Sequence, residues 1–269
     1  MNKPIPKIAI LHSLCGVGKA SLTNMIPILS SMSIEVCPIP TAILSTHTGG
    51  YGMPAIQPVS GEFICECARH YRENQVSFDA IFVGYLGKSE LVDAVSYFIE
   101  QFPNTKVYLD PIMGDHGNYY GNLDASYCES YQKLIAQADV LLPNLTEACL
   151  LTKHPFQQEL PIETLQDIAE QLQKGKQKEL VITSIANRIF WSNGQSHGFY
   201  EFEKQSGNFH GTGDIFDAVF VGKRMQGHDV QDAVKAAHRF TSACIAKTSN
   251  YDYEKREGIL IEKMLDQLV

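Results

Sequence analysis

Short apolar runs and longer amphipathic ones take turns along this chain. The runs "KIAIL" (7–11), "DAIFVGYLG" (79–87), "KVYLD" (106–110), "ADVLLPN" (138–144) and "ELVITS" (179–184) are rich in branched and aromatic residues and read as buried strands. Segments near 20–32, 60–75, 89–101, 125–137 and 163–174 carry the spacing of an amphipathic helix, and two more follow near 214–227 and 230–247. After the first helix "EVCPIP" opens a second strand, which its prolines are expected to interrupt. In "RIFWSNGQSHGFYEF" (188–202) a Ser-Asn-Gly turn signal sits between alternating aromatic runs, the pattern of a hairpin. Strands alternating with helices predict an α/β fold, a doubly wound, mostly parallel sheet flanked by helices. No linker, repeat or low-complexity tract divides the chain, so residues 1–269 are expected to form a single domain.

In such sheets ligands bind beyond the carboxyl ends of the strands, and the polar residues gather there. Ser13 follows the first strand and Tyr85 the third; Asp110 closes the fourth, Asn144 the fifth, and Thr183 and Ser184 the sixth. Late in the chain, "HGTGDIFDA" places Gly211 and Gly213 around Thr212, with Asp214 at the first turn of a helix whose apolar face is Ile215, Phe216, Val219 and Phe220. A carboxylate there makes a good helix cap. The cap does not need the glycines. Bare backbone on either side of Thr212 suits a concave row of N–H groups facing a phosphate. A carboxylate beside an anion cradle makes chemical sense when it takes a proton from the group attacking that phosphate.

Composition narrows the partners. A net charge of −8 with scattered basic residues argues against nucleic acid, so an anionic ligand must be held locally. Seven cysteines without a Cys-x-x-Cys pair read as reduced thiols, Cys65 and Cys67 being too close for an ordinary metal pair. The apolar run in "MNKPIPKIAIL" is too short for a signal peptide, and no stretch approaches the ~18 apolar residues of a membrane span. A soluble, cytoplasmic protein is expected. The segment "HSLCGVGKAS" resembles a phosphate loop but has Ser13 and Ala20 where that loop needs glycine and a hydroxyl. It resembles a dinucleotide fingerprint through Gly16, Gly18 and Ser21 but lacks the acidic residue closing the second strand. Its glycines are expected to let the backbone approach a small molecule or to make a tight strand-to-helix turn.

Other clusters each have a structural reading. Asp110 and Asp115 flank turn residues in "YLDPIMGDHGNYYG"; Asn144 or Thr146 caps a helix with Glu147 in its first turn; His47 stands between Thr46 and Thr48. Yet Asp110, Asp115, Glu147 and Asp214 would all lie at one end of one sheet. Carboxylates crowded beside an anion cradle point to Mg²⁺, which bridges carboxylates to substrate phosphates.

Taken together these segments resemble the ribokinase-like small-molecule kinases, whose glycine–x–glycine–aspartate signature is matched by "HGTGDIFDA". Within that superfamily the chain looks like a pyridoxal kinase. The segments "LSTHTGGYG", "FVGYLGK", "YLDPIMGD", "PNLTEA", "LVITS" and "GTGD" occur in that subfamily's order and approximate spacing, over nearly the whole chain. The resemblance implies a Rossmann-like core, a homodimer, and ATP-dependent phosphorylation of the 5′-hydroxymethyl of pyridoxal, pyridoxine or pyridoxamine. Carried over by motif, Asp214 is the base, and the amides of Gly211, Thr212 and Gly213 hold the transferring phosphoryl. Asp110 and Glu147 serve Mg²⁺, with a monovalent cation left open. Asp115, Asn144, Thr183, Ser184 and Gly213 meet ATP, and Ser13, His47, Thr48 and Tyr85 line the pyridoxal pocket. The glycine-rich loop around Ser13, and Leu142 where a threonine often precedes Pro-Asn, depart from the pattern and leave vitamer preference and a nucleotide contact open. A hydroxymethylpyrimidine or sugar kinase of the same superfamily, or a sensor that binds nucleotide or pyridoxal without turnover, are the alternatives.

Overall fold

The computed structural model describes residues 4–174, 179–203 and 209–269. In chain order its elements are β1 (Lys7–Val17), α1 (Leu22–Ser31), β2 (Glu35–Thr46), β3 (Ile56–Pro58), α2 (Gly61–Glu73), β4 (Ala80–Val83), α3 (Glu90–Gln101) and β5 (Lys106–Leu109). There follow β6 (Gly114–Asp115), β7 (Asn118–Tyr119), α4 (Ala125–Gln137), β8 (Val140–Leu141), α5 (Leu145–Thr152), α6 (Ile162–Leu172), β9 (Glu179–Ile185), β10 (Arg188–Ser192), β11 (His197–Glu201), α7 (Thr212–Met225) and α8 (Val230–Thr248). This is the expected mostly parallel sheet flanked by helices. The chain gathers into two compact units, one of Met1–Val59, Phe78–Ala80 and Gln205–Val269, the other of Ser60–Ser77 and Ile81–Lys204.

In the first unit β1 pairs in parallel with β2, and β3 adds antiparallel to β2. Ile8, Ala9, Ile10 and Leu11 are fully buried, as are Leu22, Met25, Ile28 and Leu29 of α1 and Ile215 and Phe220 of α7. Each of the larger side chains, Ile, Leu, Met and Phe, contributes about 1.5–3 kcal/mol when fully buried. Two expectations are corrected here. The first strand does not stop at Leu11 but runs to Val17, with an irregularity between His12 and Leu14. Gly16 is therefore not in the turn into α1: a Cβ there would stand 2.9 Å from the Ser45 carbonyl of β2, so glycine permits two strands to approach, whereas Gly18, with a φ of 99°, does take part in that turn. The turn itself lies at 18–21, where Lys19 and Ser21 take positive φ, 51° and 59°.

Nor do prolines interrupt the second strand, for β2 continues through Pro38 and Pro40 to Thr46. Two residues apart, both present the same edge of the strand, and β3 pairs only with 42–44, so no ladder bond is asked of them on that side.

In the second unit the strand order is β11-β10-β9-β8-β5-β4. Strands β5, β8 and β9 run parallel, and β9, β10 and β11 are antiparallel through the expected hairpin. The parallel strands are short and buried, Val107, Leu109, Val140, Leu141, Leu180 and Val181 all being at most 3% exposed, which is why they read as uniform apolar runs. A two-stranded ribbon, β6 with β7, stands where only a turn-rich loop was expected. Among the described residues no helix is long and apolar enough to cross a membrane. All seven cysteines are free thiols.

Candidate active site

Gly211 caps the start of helix α7; its φ of 80° is left-handed, and an added Cβ would run into the Lys19 carbonyl oxygen. Only glycine fits there. Asp214 falls in the first turn but makes no cap bond to its own helix. Its carboxylate turns to the strand and loop opposite: Oδ2 accepts the Ser21 N–H at 2.6 Å, and Oδ1 lies 3.1 Å from His12 Nε2. The helix-cap reading of Asp214 thus fails on geometry. The first-turn N–H groups are left for another partner, because a helix offers them none. Beside them a Cβ on Gly213 would meet nothing within 4 Å. The result is an open helix N-terminus with a carboxylate, its side chain 12% exposed, held at its rim.

The loop that faces Asp214 is tied down by buried polar groups. Ser13, 3% exposed, donates from Oγ to Ser21 Oγ at 2.8 Å. Asn24, fully buried, donates from Nδ2 to the carbonyls of Lys19 at 2.7 Å and Gly211 at 3.3 Å, joining the loop to the start of α7. Burial and the Asp214 charge push the Cys15 thiol up to about 11. His47 packs over Gly18, and both its ring nitrogens are engaged. Nδ1 accepts the Gly49 N–H at 2.9 Å, so Nε2 carries the proton and donates to the Arg256 carbonyl at 2.7 Å. His210, one residue before Gly211, lies with its ring 4.9 Å from that of His47, and burial together with His47 holds its imidazole below the usual range. Thr48 is exposed.

In the second unit Asp110, Asn144, Glu147 and Thr183 gather near the carboxyl ends of β5, β8 and β9. Asn144 and Glu147 form a capping box at the start of α5. The Glu147 carboxylate, 2% exposed, also accepts the Met113 N–H at 3.0 Å, and Asn144 Nδ2 donates to the Gly114 carbonyl at 2.9 Å. Burial, reinforced by Asp110 nearby, raises the Glu147 carboxyl well above the usual carboxylate range. Asn144 bridges to Thr183, whose N–H donates to the Pro143 carbonyl at 3.1 Å. Asp115 is exposed on the β6–β7 ribbon, and Ser184 is exposed with a φ of 61°. Tyr85 is half-buried, its hydroxyl accepting from Asn122 at 2.8 Å.

Sequence reasoning placed Asp214, Ser13 and the glycines but missed the three groups that hold them, His12, the Ser21 amide and Asn24. A signal existed for one of these. "LHS" puts two polar residues in a row at the end of an apolar strand, and both are buried.

A family model, that of phosphomethylpyrimidine kinase, matches residues 27–258. A Schizosaccharomyces pombe protein, provisionally named a pyridoxal kinase, is 28% identical over 232 residues, 77% of this chain and 66% of its own. A hydroxymethylpyrimidine/phosphomethylpyrimidine kinase of Haemophilus influenzae is 28% identical over 178 residues, 62% of this chain and 65% of its own. The chain thus matches slightly less than two thirds of the length of these curated relatives. A crystal structure of a Bacteroides thetaiotaomicron protein, provisionally named a phosphomethylpyrimidine kinase, superposes with a TM-score of 0.94 at 36% identity, covering 100% of this chain and 95% of that one. A second crystal form of that protein, with pyridoxal, gives a TM-score of 0.91 over 98% of this chain and 96% of that one.

Proposed function

The chain belongs to the phosphomethylpyrimidine kinase family, and on that premise we propose that it transfers the terminal phosphoryl group of ATP to the 5′-hydroxymethyl of a B6 vitamer, pyridoxal, pyridoxine or pyridoxamine. One observation carries the chemistry: Asp214 is withheld from its own helix and held by two donors beside an open helix N-terminus. A carboxylate so placed accepts the proton of an attacking hydroxyl, while the amides of Gly211, Thr212 and Gly213 receive the phosphoryl oxygens. A positioned base is worth ~10²–10⁴-fold, and an oxyanion donor a further ~10²–10³-fold. Ser13, His47, Thr48 and Tyr85 are assigned to the vitamer, Ser13 through its hydroxyl and His47 by bracing its loop. Asn144, Thr183, Ser184 and Asp115 are assigned to the nucleotide.

The donor chemistry fits Mg²⁺. Asp110 and Glu147 supply hard oxygens, and among the described residues no group of three or more His, Cys, Asp or Glu forms a cage, as suits an ion carried by nucleotide phosphates and water. Both Glu147 oxygens already accept backbone N–H groups, so Glu147 would serve the ion by its charge and through water, and Asp110 would be the nearer contact. When bound, the ion neutralises phosphate charge as the transfer proceeds. A homodimer in the cytoplasm belongs to the same proposal.

Support for a vitamer comes from the pyridoxal in the 36%-identical relative. The family's own description favours a second reading, a hydroxymethylpyrimidine acceptor, which offers the same hydroxymethyl on a flat nitrogen heterocycle. A panel of the three vitamers, hydroxymethylpyrimidine and ribose, each with ATP and Mg²⁺, separates them. We expect a vitamer to give the highest kcat/KM; a higher value for hydroxymethylpyrimidine would establish the second reading, and one for ribose would overturn both.

A further inference from the structure

We propose that His12 is a positioning residue for phosphoryl transfer: its Nε2–H holds the Asp214 carboxylate in its proton-accepting orientation. The inference rests on the reading of Asp214 as the base and assigns work to a residue outside that reading. His12 lies on β1 immediately before Ser13, is 1% exposed and has both ring nitrogens engaged, so it acts on Asp214 rather than on substrate. Its tautomer follows from its neighbours. The Ser13 N–H donates to Nδ1 at 2.8 Å, which leaves Nδ1 without a proton in the neutral ring and puts the proton on Nε2. Nε2 faces Asp214 Oδ1 at 3.1 Å and donates to it.

The pair has a direction that matters for catalysis. A carboxylate with two bonded oxygens cannot rotate about its Cβ–Cγ bond without breaking both, so the Ser21 amide and His12 together fix the plane in which the free lone pairs lie. Proton transfer then runs from the vitamer hydroxyl to a free lone pair of Asp214 as the hydroxyl oxygen bonds to phosphorus and the bond to the leaving ADP oxygen breaks. His12 keeps its own proton throughout. The titratable groups around Asp214 are His12 and Cys15 on β1, Lys19 in the following loop with its ammonium on Glu262 at 2.8 Å, and His210 and Asp217 beside and along α7. Of these, His12 alone has a bond to the carboxylate placed above.

The test compares His12→Leu, His12→Gln and Asp214→Asn in the full chain with ATP, Mg²⁺ and pyridoxal. His12→Leu removes the donor while filling the buried volume, and we expect kcat to fall roughly 10–100-fold with KM for ATP within a few-fold. His12→Gln carries an amide nitrogen at the reach of Nε2 and is expected to restore most of the turnover. A structural role alone would lower the melting temperature of both variants and leave kcat of His12→Gln as low as that of His12→Leu, which would overturn the proposal. So would wild-type kcat in His12→Leu beside an inactive Asp214→Asn, with the base reading left standing. Full activity in Asp214→Asn would overturn the base reading, and the role of His12 with it. Should His12→Leu fail to fold, the wild-type ring settles the matter by ¹⁵N NMR: a proton on Nε2 supports the assignment, and a proton on Nδ1 overturns it.

Discussion

Asn144 and Glu147 bind each other's main chain: Asn144 Oδ1 accepts the Glu147 N–H at 3.0 Å, and Glu147 Oε2 accepts the Asn144 N–H at 2.9 Å. With Oε1 turned to Met113, the one carboxylate joins the start of α5 to the β6–β7 ribbon.

Glu147→Gln replaces an oxygen that accepts with a nitrogen that donates, setting donor against donor on one side of this joint. The expected cost is about 1–3 kcal/mol, a fall in Tm of roughly 2–10 °C. If its charge also serves Mg²⁺, the half-saturating Mg²⁺ concentration rises in the same sample, and we expect both changes. A lowered Tm beside an unchanged Mg²⁺ midpoint would remove Glu147 from the metal set.

Gly211→Ala and Gly213→Ala are expected to part company. At Gly211 the methyl meets the Lys19 carbonyl and φ is 80°, so melting should drop and activity with it. At Gly213 the space is open, and alanine favours a helix by up to ~1 kcal/mol. There the fold should be kept or strengthened while the methyl stands at the cradle and kcat falls. Melting curves and kcat on both variants check the contrast, and equal turnover for Gly213→Ala and wild type would show that no phosphate docks there.

Burial pushes Cys15, joined by the Asp214 charge, and Cys149 up to about 11, and Cys244, joined by Glu262, up to about 12. Maleimide at pH 8 should therefore label the half-buried Cys37, Cys65 and Cys67 in the native protein and spare these three until it unfolds. The sign for stability follows. Below the ordinary thiol value of 9.0 both states hold these protons; as pH rises from there toward 11 the unfolded chain loses them first, so these groups lower stability through that window. Mass spectrometry after timed labelling reads the pattern, and early modification of Cys15 would contradict it.

Much of the fold was legible because period and burial speak in the sequence. The runs at 106–110 and 179–184 are apolar throughout since strands covered on both faces need no polar side, and the Ser-Asn-Gly signal marked the β10–β11 hairpin. What stayed hidden depends on partners distant in sequence. Pro38 and Pro40 read as strand breakers because a sequence does not say which edge of β2 goes unpaired. Gly16 read as a turn residue because the close carbonyl belongs to Ser45. Asp214 announced itself through its flanking glycines, yet its bond to His12 spans 202 positions and leaves no periodic trace.

The Ser21 backbone, at φ 59° and ψ −132°, sits where a residue with a Cβ is costly by about 1–3 kcal/mol, and in that posture its N–H reaches Asp214. That gives the two halves of the clasp different genetic exposure. A replacement of His12 that brings no N–H deletes one donor, but the Ser21 donor is main chain and is lost outright only to proline, which has no N–H and whose ring cannot adopt a positive φ. Glycine at this position would ease the posture while keeping the bond. Half of the support for Asp214 is therefore buffered against mutational drift, and the other half is where turnover can be tuned by single substitutions.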